Sequence, residues 1–205
     1  MLSLYVNAAR VGSTRLSALF NACGVKTYNE PFNIGKLRKR ADKGFLGDKN
    51  IILKYSDLKL SDLENYDTNG KNFKDLTFYK KILDAYALSP SFYFIGIQRF
   101  SFSPAQAAFF CGIYPCLFLQ RRNIDVYISR MKARITQNYA GENTTNLKPK
   151  ADAEDFYNYT MRQIFFYNSC YYSAMNAHRK VSIINYEDWG NVNDQDQLSV
   201  IKNFI

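Results

Sequence analysis

The chain has 205 residues, 47% hydrophobic and 16% aromatic, with a formal net charge of +9. That length fits one domain with a substantial core, and the basic balance points to an anionic partner: a nucleotide, a nucleic acid, a phosphorylated substrate or a membrane surface. Four cysteines without a C-x-x-C pair, and His178 as the single histidine, argue against a metal site and against a disulfide framework.

In chain order, Leu2 to Asn7 reads as a short buried strand. Leu16, Leu19, Phe20 and Cys23 then fall on one face of a helix that Gly24 should stop. Between them lies ARVGST, a strand-to-helix turn whose amides and helix dipole would favour an anion. Val25 to Tyr28 is a second short strand, ending in Asn29-Glu30-Pro31-Phe32, and a basic segment of surface helix and loop follows from Lys36 to Lys49. Ile51 to Tyr55 is a strand candidate, and Ser61 to Lys74 is polar with a turn signal at Asn69-Gly70. Thr77 to Leu88 predicts a helix, Phe92 to Gln98 a strand, and Pro104 opens an apolar helix through Phe110.

The longest apolar run, Ala105 to Leu119, contains Gly112 and Pro115 and falls short of the roughly 20 residues a membrane span needs. Within it Cys116 to Leu119 is another strand, and QRRN makes a second basic turn. Ile124, Ile128, Met131 and Ile135 recur at helical spacing after that turn. Ala140 to Lys150 is the best loop candidate, and Ala151 to Ala177 predicts a long helix with Phe156, Tyr159, Phe166 and Cys170 near one face. Val181 to Tyr186 reads as the last strand, and Gln195 to Ile205 begins a final helix. Alternating strands and helices predict one α/β domain over 1–205, P-loop-like, with a mostly parallel central sheet flanked by helices. The N-terminus enters a strand with no basic leader, so the expectation is a soluble cytoplasmic protein with reduced thiols and no transmembrane segment.

The first turn lacks the lysine of an ATP-type P-loop: with Gly12 as the second glycine, Ser13 stands where that lysine belongs. A single phosphate-like group held by backbone amides, Arg10, Ser13 and Thr14 fits better. In the second turn Arg121 precedes Ser129 by eight positions, which pairs a bidentate guanidinium with a hydroxyl on the following helix. Arg122 is the alternative to Arg121 if the turn shifts by one residue.

ARVGSTRLSALFNACGVKTYNEPF resembles the start of the sulfotransferases, FLQRRNIDVYISRMKARITQNYAG their 3′-phosphate segment, and INYEDW their later Tyr-Glu-Asp strand end. The pattern is most similar to the bacterial trehalose and glycolipid sulfotransferase branch. The resemblance implies 3′-phosphoadenosine-5′-phosphosulfate as donor, bound without metal and released as adenosine 3′,5′-bisphosphate. Arg10, Val11, Gly12, Ser13, Thr14 and Arg15 would surround its 5′-phosphosulfate, Arg121 and Ser129 its 3′-phosphate, and Tyr186 its adenine. By the same resemblance Glu30 is the base for the acceptor hydroxyl, Arg10 steadies the departing phosphate, and Lys54, matched to a lysine of the family's third strand, adds positive charge. The implied acceptor is a hydroxyl of a carbohydrate or glycolipid.

Val11 stands in place of the family's usual serine, and Arg15 in place of an apolar residue. The family's late glycine-rich loop has no counterpart before Ile205, which suggests a minimal version or a shortened C-terminus. Two rivals remain: a nucleotide kinase-like phosphoryl transferase, disfavoured by the missing lysine, and a non-catalytic basic nucleotide- or RNA-binding protein, disfavoured by the lack of an aromatic-basic RNA motif. Nucleic acid is therefore not the expected partner, and nothing in the sequence sets the oligomeric state.

Overall fold

The computed structural model describes residues 1–7, 13–28, 32, 48–69, 75–99, 101–136, 146–190, 196 and 199, leaving aside the side chains of 13–14, 66–69 and 189. Five strands, β1 (Leu2–Asn7), β2 (Lys26–Tyr28), β3 (Tyr93–Gln98), β4 (Cys116–Gln120) and β5 (Val181–Asn185), form one all-parallel sheet in the order β2-β3-β1-β4-β5. Every residue of β1 and β3 is buried, as expected of strands covered on both faces, and this explains why they read as unbroken apolar runs.

The helices are α1 (Ser13–Ala22), α2 (Lys49–Tyr55), α3 (Leu60–Asn69), α4 (Leu76–Leu88), α5 (Pro104–Cys111), α6 (Asn123–Thr136), α7 (Ala153–Asn176) and α8 (Tyr186–Gly190). Their ends follow local chemistry. Asp48, Asp75 and Asp152 accept backbone N–H bonds at the starts of α2, α4 and α7, and Ser103 with Gln106 closes a capping box over α5. At the end of α1, Gly24 adopts φ +77°, and the amides of Val25 and Gly24 bond the carbonyls of Phe20 and Asn21, each at 3.0 Å. This is a Schellman stop, and it turns the chain directly into β2.

Strand alternation divides the core in two. Leu4, Val6, Ile95, Ile97 and Phe118 face α4 and α5, joined by Ile52 of α2 and Leu63 of α3. Tyr5, Phe94, Leu117 and Leu119 face α1 and α6 on the other side, where Phe20 stacks on Phe94 at 4.0 Å between ring centroids. Helix α7 belongs to both: Tyr159 packs in the α1/α6 cluster, Phe166, Cys170 and Ala174 in the α4/α5 cluster. Between them Tyr167 donates its hydroxyl to the Leu119 carbonyl at 2.6 Å, so α7 passes the C-terminal end of β4 as it changes sides.

Four expectations change. Ile51 to Tyr55 is helical, not a strand, because a five-residue apolar run suits either state and the Asp48 cap, accepting from the amides of Asn50 and Ile51, selects the helix. The polar stretch after Ser61 is also helical as far as Asn69, with Leu63 buried beneath it. The last strand ends at Asn185, and Tyr186 opens α8. In α6 the buried residues are Val126, Tyr127 and Ala133; of the predicted stripe, Ile128 and Met131 pack half-buried against the α1/α6 cluster, while Ile124 and Ile135 are exposed. Tyr127 decides that face, bonding the Asp155 carboxylate at 3.1 Å and packing edge-on against Phe156. Residues 36–47 of the predicted Lys36–Lys49 segment, Glu30, residues 140–145 of the predicted loop and most of the final helix lie outside the described residues, while 146–150 are non-helical as that loop requires.

Candidate functional site

The strand order fixes where a ligand can sit. The chain leaves β1 toward β2 on one flank of the sheet and leaves β4 toward β5 on the other, so the two connections part between neighbouring strands. In open parallel sheets this divergence opens a crevice at the carboxyl ends of those strands. β1 and β4 are paired as far as Asn7 and Leu119, so the two sequence-predicted anion turns begin side by side at that crevice.

The strand ends there are polar in an otherwise apolar sheet. Asn7 is paired in register with Gln98 of β3, and both side chains lie on the α1/α6 face, in step with Tyr5 and Phe94. Asn7 is 0% exposed, yet among the described residues neither its amide nitrogen nor its amide oxygen has a hydrogen-bond partner. A buried unpaired amide carries a desolvation cost of about 1–3 kcal/mol. Such a group at a strand's carboxyl end is poised to bond an incoming ligand.

At the end of β4, Arg121 lies over the Tyr186 ring, its guanidinium carbon 4.6 Å from the ring centroid. The register of β4 and β5, Gln120 opposite Asn185, brings these two residues together. Arg121 borders two cavities. One, of about 180 Å³, lies between the Gln120–Val126 segment and Gln163, Tyr167 and Asn168 of α7. The other, of about 460 Å³, opens toward Asn185, Glu187 and Asp188. Gln163 is 3% exposed; its amide bonds the Tyr159 phenol and its carbonyl oxygen has no hydrogen-bond partner at the wall of the first cavity.

Arg122 is differently engaged. Its Nε donates to Asp125 at 2.7 Å and stands 3.8 Å from Glu187, while Glu187 accepts its backbone N–H at 3.0 Å. The surface carboxylates thus engage Arg122, while Arg121 stacks on Tyr186 beside the two cavities. Ser129 lies half-buried on α6, below the turn. Ser13 and Thr14 open α1, and Arg15 follows on its exposed side. Arg10, Val11, Gly12 and Glu30 lie outside the described residues.

Lys54 does not occupy a strand end. It is exposed on α2, with Nζ 5.3 Å from the centroid of its neighbour Tyr55, and has no place in the crevice beside Arg121. Conversely, Asn7, Gln98 and Gln163 belong to no motif of the sequence. The available signal was an amide closing each of two buried strands, and one glutamine inside the apolar stripe of α7.

Among the described residues no three His, Cys, Asp or Glu side chains gather into a possible metal-ligand set, and no helix is long and apolar enough to cross a membrane. The chain matches no protein-family model and no curated protein.

Proposed function

We propose that the protein is a sulfotransferase that moves a sulfuryl group from 3′-phosphoadenosine-5′-phosphosulfate to a hydroxyl of a carbohydrate or glycolipid. The observation that carries this reading is the pairing of β1 and β4 to their carboxyl ends, from which the two turns start, with Arg121 stacked on Tyr186 beside them. A nucleotide phosphorylated at both its 3′ and 5′ positions would span that arrangement. The orphaned Asn7 amide and the cavities flanking Arg121 provide polar groups and space suited to it.

The donor supplies an activated sulfuryl group, whose sulfur is attacked by the acceptor oxygen as the bond to the bridging phosphate oxygen breaks. Amides at the start of α1, with Arg10, Gly12, Ser13 and Thr14, hold the 5′ end and stabilise charge building on the departing phosphate. Arg121 binds the 3′-phosphate through its planar fork, with Ser129 donating from α6. Tyr186 keeps the Arg121 guanidinium in position from beneath. Glu30 accepts the proton of the attacking hydroxyl.

Calorimetric titration with adenosine 3′,5′-bisphosphate, beside ATP with magnesium, tests this reading. The expected result is bisphosphate binding that needs no magnesium and exceeds ATP binding by at least about tenfold, or 1.4 kcal/mol. Preferential binding of magnesium-ATP would overturn it in favour of phosphoryl transfer.

A further inference from the structure

The smaller cavity beside Arg121 is walled mostly by neutral amides. Its volume is about 180 Å³, the space of about six liquid waters and below the roughly 300 Å³ at which pockets for drug-sized ligands begin. One ring-sized group suits that space, and a whole nucleotide exceeds it. Four carboxamides from three segments line it: Gln120 closes β4, Asn123 opens α6, and Gln163 and Asn168 come from α7. Tyr167 adds one ring, fixed in place by the 2.6 Å bond from its hydroxyl to the Leu119 carbonyl. No carboxylate lies among these lining residues.

A carboxamide presents donors on its nitrogen and an acceptor on its oxygen. Gln163 has used only the first. Its NH2 bonds the Tyr159 phenol, whereas its carbonyl oxygen, on a side chain 3% exposed, has no hydrogen-bond partner among the described residues. A group filling the cavity with an O–H or N–H donor would satisfy that oxygen. Hydroxyls on adjacent ring carbons each donate and accept, so they match carboxamides on both counts. An oxyanion is a poorer match, since it would meet the lone pairs of the amide oxygens. A flat base is poorer too: Tyr167 is the one aromatic ring among the described lining residues, and Val126 and Ile164 are aliphatic, so no second ring sandwiches a base there.

We infer that this cavity is a binding site for one neutral, hydroxyl-rich ring, a monosaccharide unit or cyclic polyol, held by Gln120, Asn123, Gln163 and Asn168. The ring is a part of the acceptor remote from the attacked hydroxyl, because Arg121 at the cavity wall is given to the 3′-phosphate. That last assignment rests on the transfer reading above; the sugar site itself does not.

The test is saturation-transfer NMR on the full chain with glucose, galactose, mannose and myo-inositol, with adenosine as comparator. At least one of the four should bind, and Gln163→Met, similar in length but without the amide, should weaken it about tenfold or more. Because Gln163→Met also loses the bond to Tyr159, a second variant acts from a neighbouring position without touching that bond. Ile164→Trp, at a helix position 41% exposed, crowds the cavity with a larger side chain and should weaken the same ligand at least as much. Binding by none of the four, or undiminished binding in either folded variant, would overturn the site. Adenosine binding tighter than all four, and lost in the same variants, would overturn it in favour of a nucleobase pocket. A second arm saturates the wild-type protein with adenosine 3′,5′-bisphosphate. Sugar binding that persists there supports the acceptor assignment, and sugar expelled by the bisphosphate overturns that assignment. If the bisphosphate does not bind at all, the transfer reading fails, while the first arm still decides the sugar site.

Discussion

The two ends of the same five strands are built on opposite terms. At the amino ends, backbone groups close on one another: Leu4 N–H bonds the Pro115 carbonyl at 2.8 Å, Cys116 N–H that of Lys180 at 2.9 Å, and Lys26 N–H that of Phe92 at 3.1 Å. The residues entering the sheet there, Leu2, Tyr93 and Cys116, are buried in the larger core cluster. At the carboxyl ends the strands close in Asn7, Gln98, Gln120 and Asn185, and the neighbouring side chains are arginines stacked on tyrosines. Helix α7 repeats the contrast along its own length. Phe166, Cys170 and Ala174 pack against the α4/α5 side, whereas Tyr159, Thr160 and Gln163 bring polar atoms into buried positions, two of them without a partner. One end of the molecule is therefore closed by backbone bonds and apolar packing, and the other gathers buried polar groups, with the Asn7 amide unpaired among the described residues.

Substitutions at each end sharpen this contrast. The largest effect is expected from Phe110→Ala in α5, where a fully buried ring packs edge-on against Phe102 and Phe109. Urea unfolding should show a loss of about 3–5 kcal/mol, with bisphosphate affinity of the folded protein unchanged. Asn7→Leu should do the reverse. Replacing a partnerless buried amide by a similar apolar shape should raise stability by about 1–2 kcal/mol and weaken bisphosphate binding. A destabilised Asn7→Leu variant would show that this amide supports the fold rather than a ligand. Gly24→Ala, at a left-handed φ of +77° with no atom within 4 Å of the added carbon, should cost about 1 kcal/mol through backbone strain alone. Thermal unfolding that shows no loss would put the strain reading in error.

The smallest effect concerns one phenol. Burial, with the Asp48 charge nearby, raises Tyr28 from its ordinary 10 to about 12. Because the folded state holds this proton more tightly than the unfolded chain, the stabilisation is complete below pH 10 and is lost as pH rises through 12. Tyr28→Phe should therefore change stability little at pH 7 and flatten its decline above pH 10. An unchanged alkaline slope would count against it.

Much of this organisation is legible in the sequence, for reasons that also set the limit. β1, β3 and β4 appear as continuous apolar runs because both faces of a parallel strand are buried. Gly24 and Pro104 mark helix ends locally, where short-range chemistry decides. Helix α2 is harder to read because Ile51 to Tyr55 contains β-branched and aromatic residues that suit either state. The buried face of α6 is read only in part: Ile128 and Met131 of the predicted stripe do pack against the core, but Val126 and Tyr127 are buried more deeply, against the sheet and α7. The spacing of Arg121 to Ser129 is visible in the sequence, but the engagement of Arg122 by Asp125 and Glu187 is not, since Glu187 follows a later strand. The approach of Arg99 and Arg130 to the Tyr159 ring has no local pattern at all, because three separate elements supply these residues.

The central claim is that the Arg121 turn recognises a 3′-phosphate, and comparing adenosine 3′,5′-bisphosphate with adenosine 5′-monophosphate tests it most directly. Wild-type protein should prefer the bisphosphate by about a hundredfold, the worth of one or two charge-assisted contacts, and Arg121→Ala should abolish that preference while leaving monophosphate affinity in place. Equal affinity of the wild type for the two nucleotides, or an Arg121→Ala loss shared equally between them, would contradict the account.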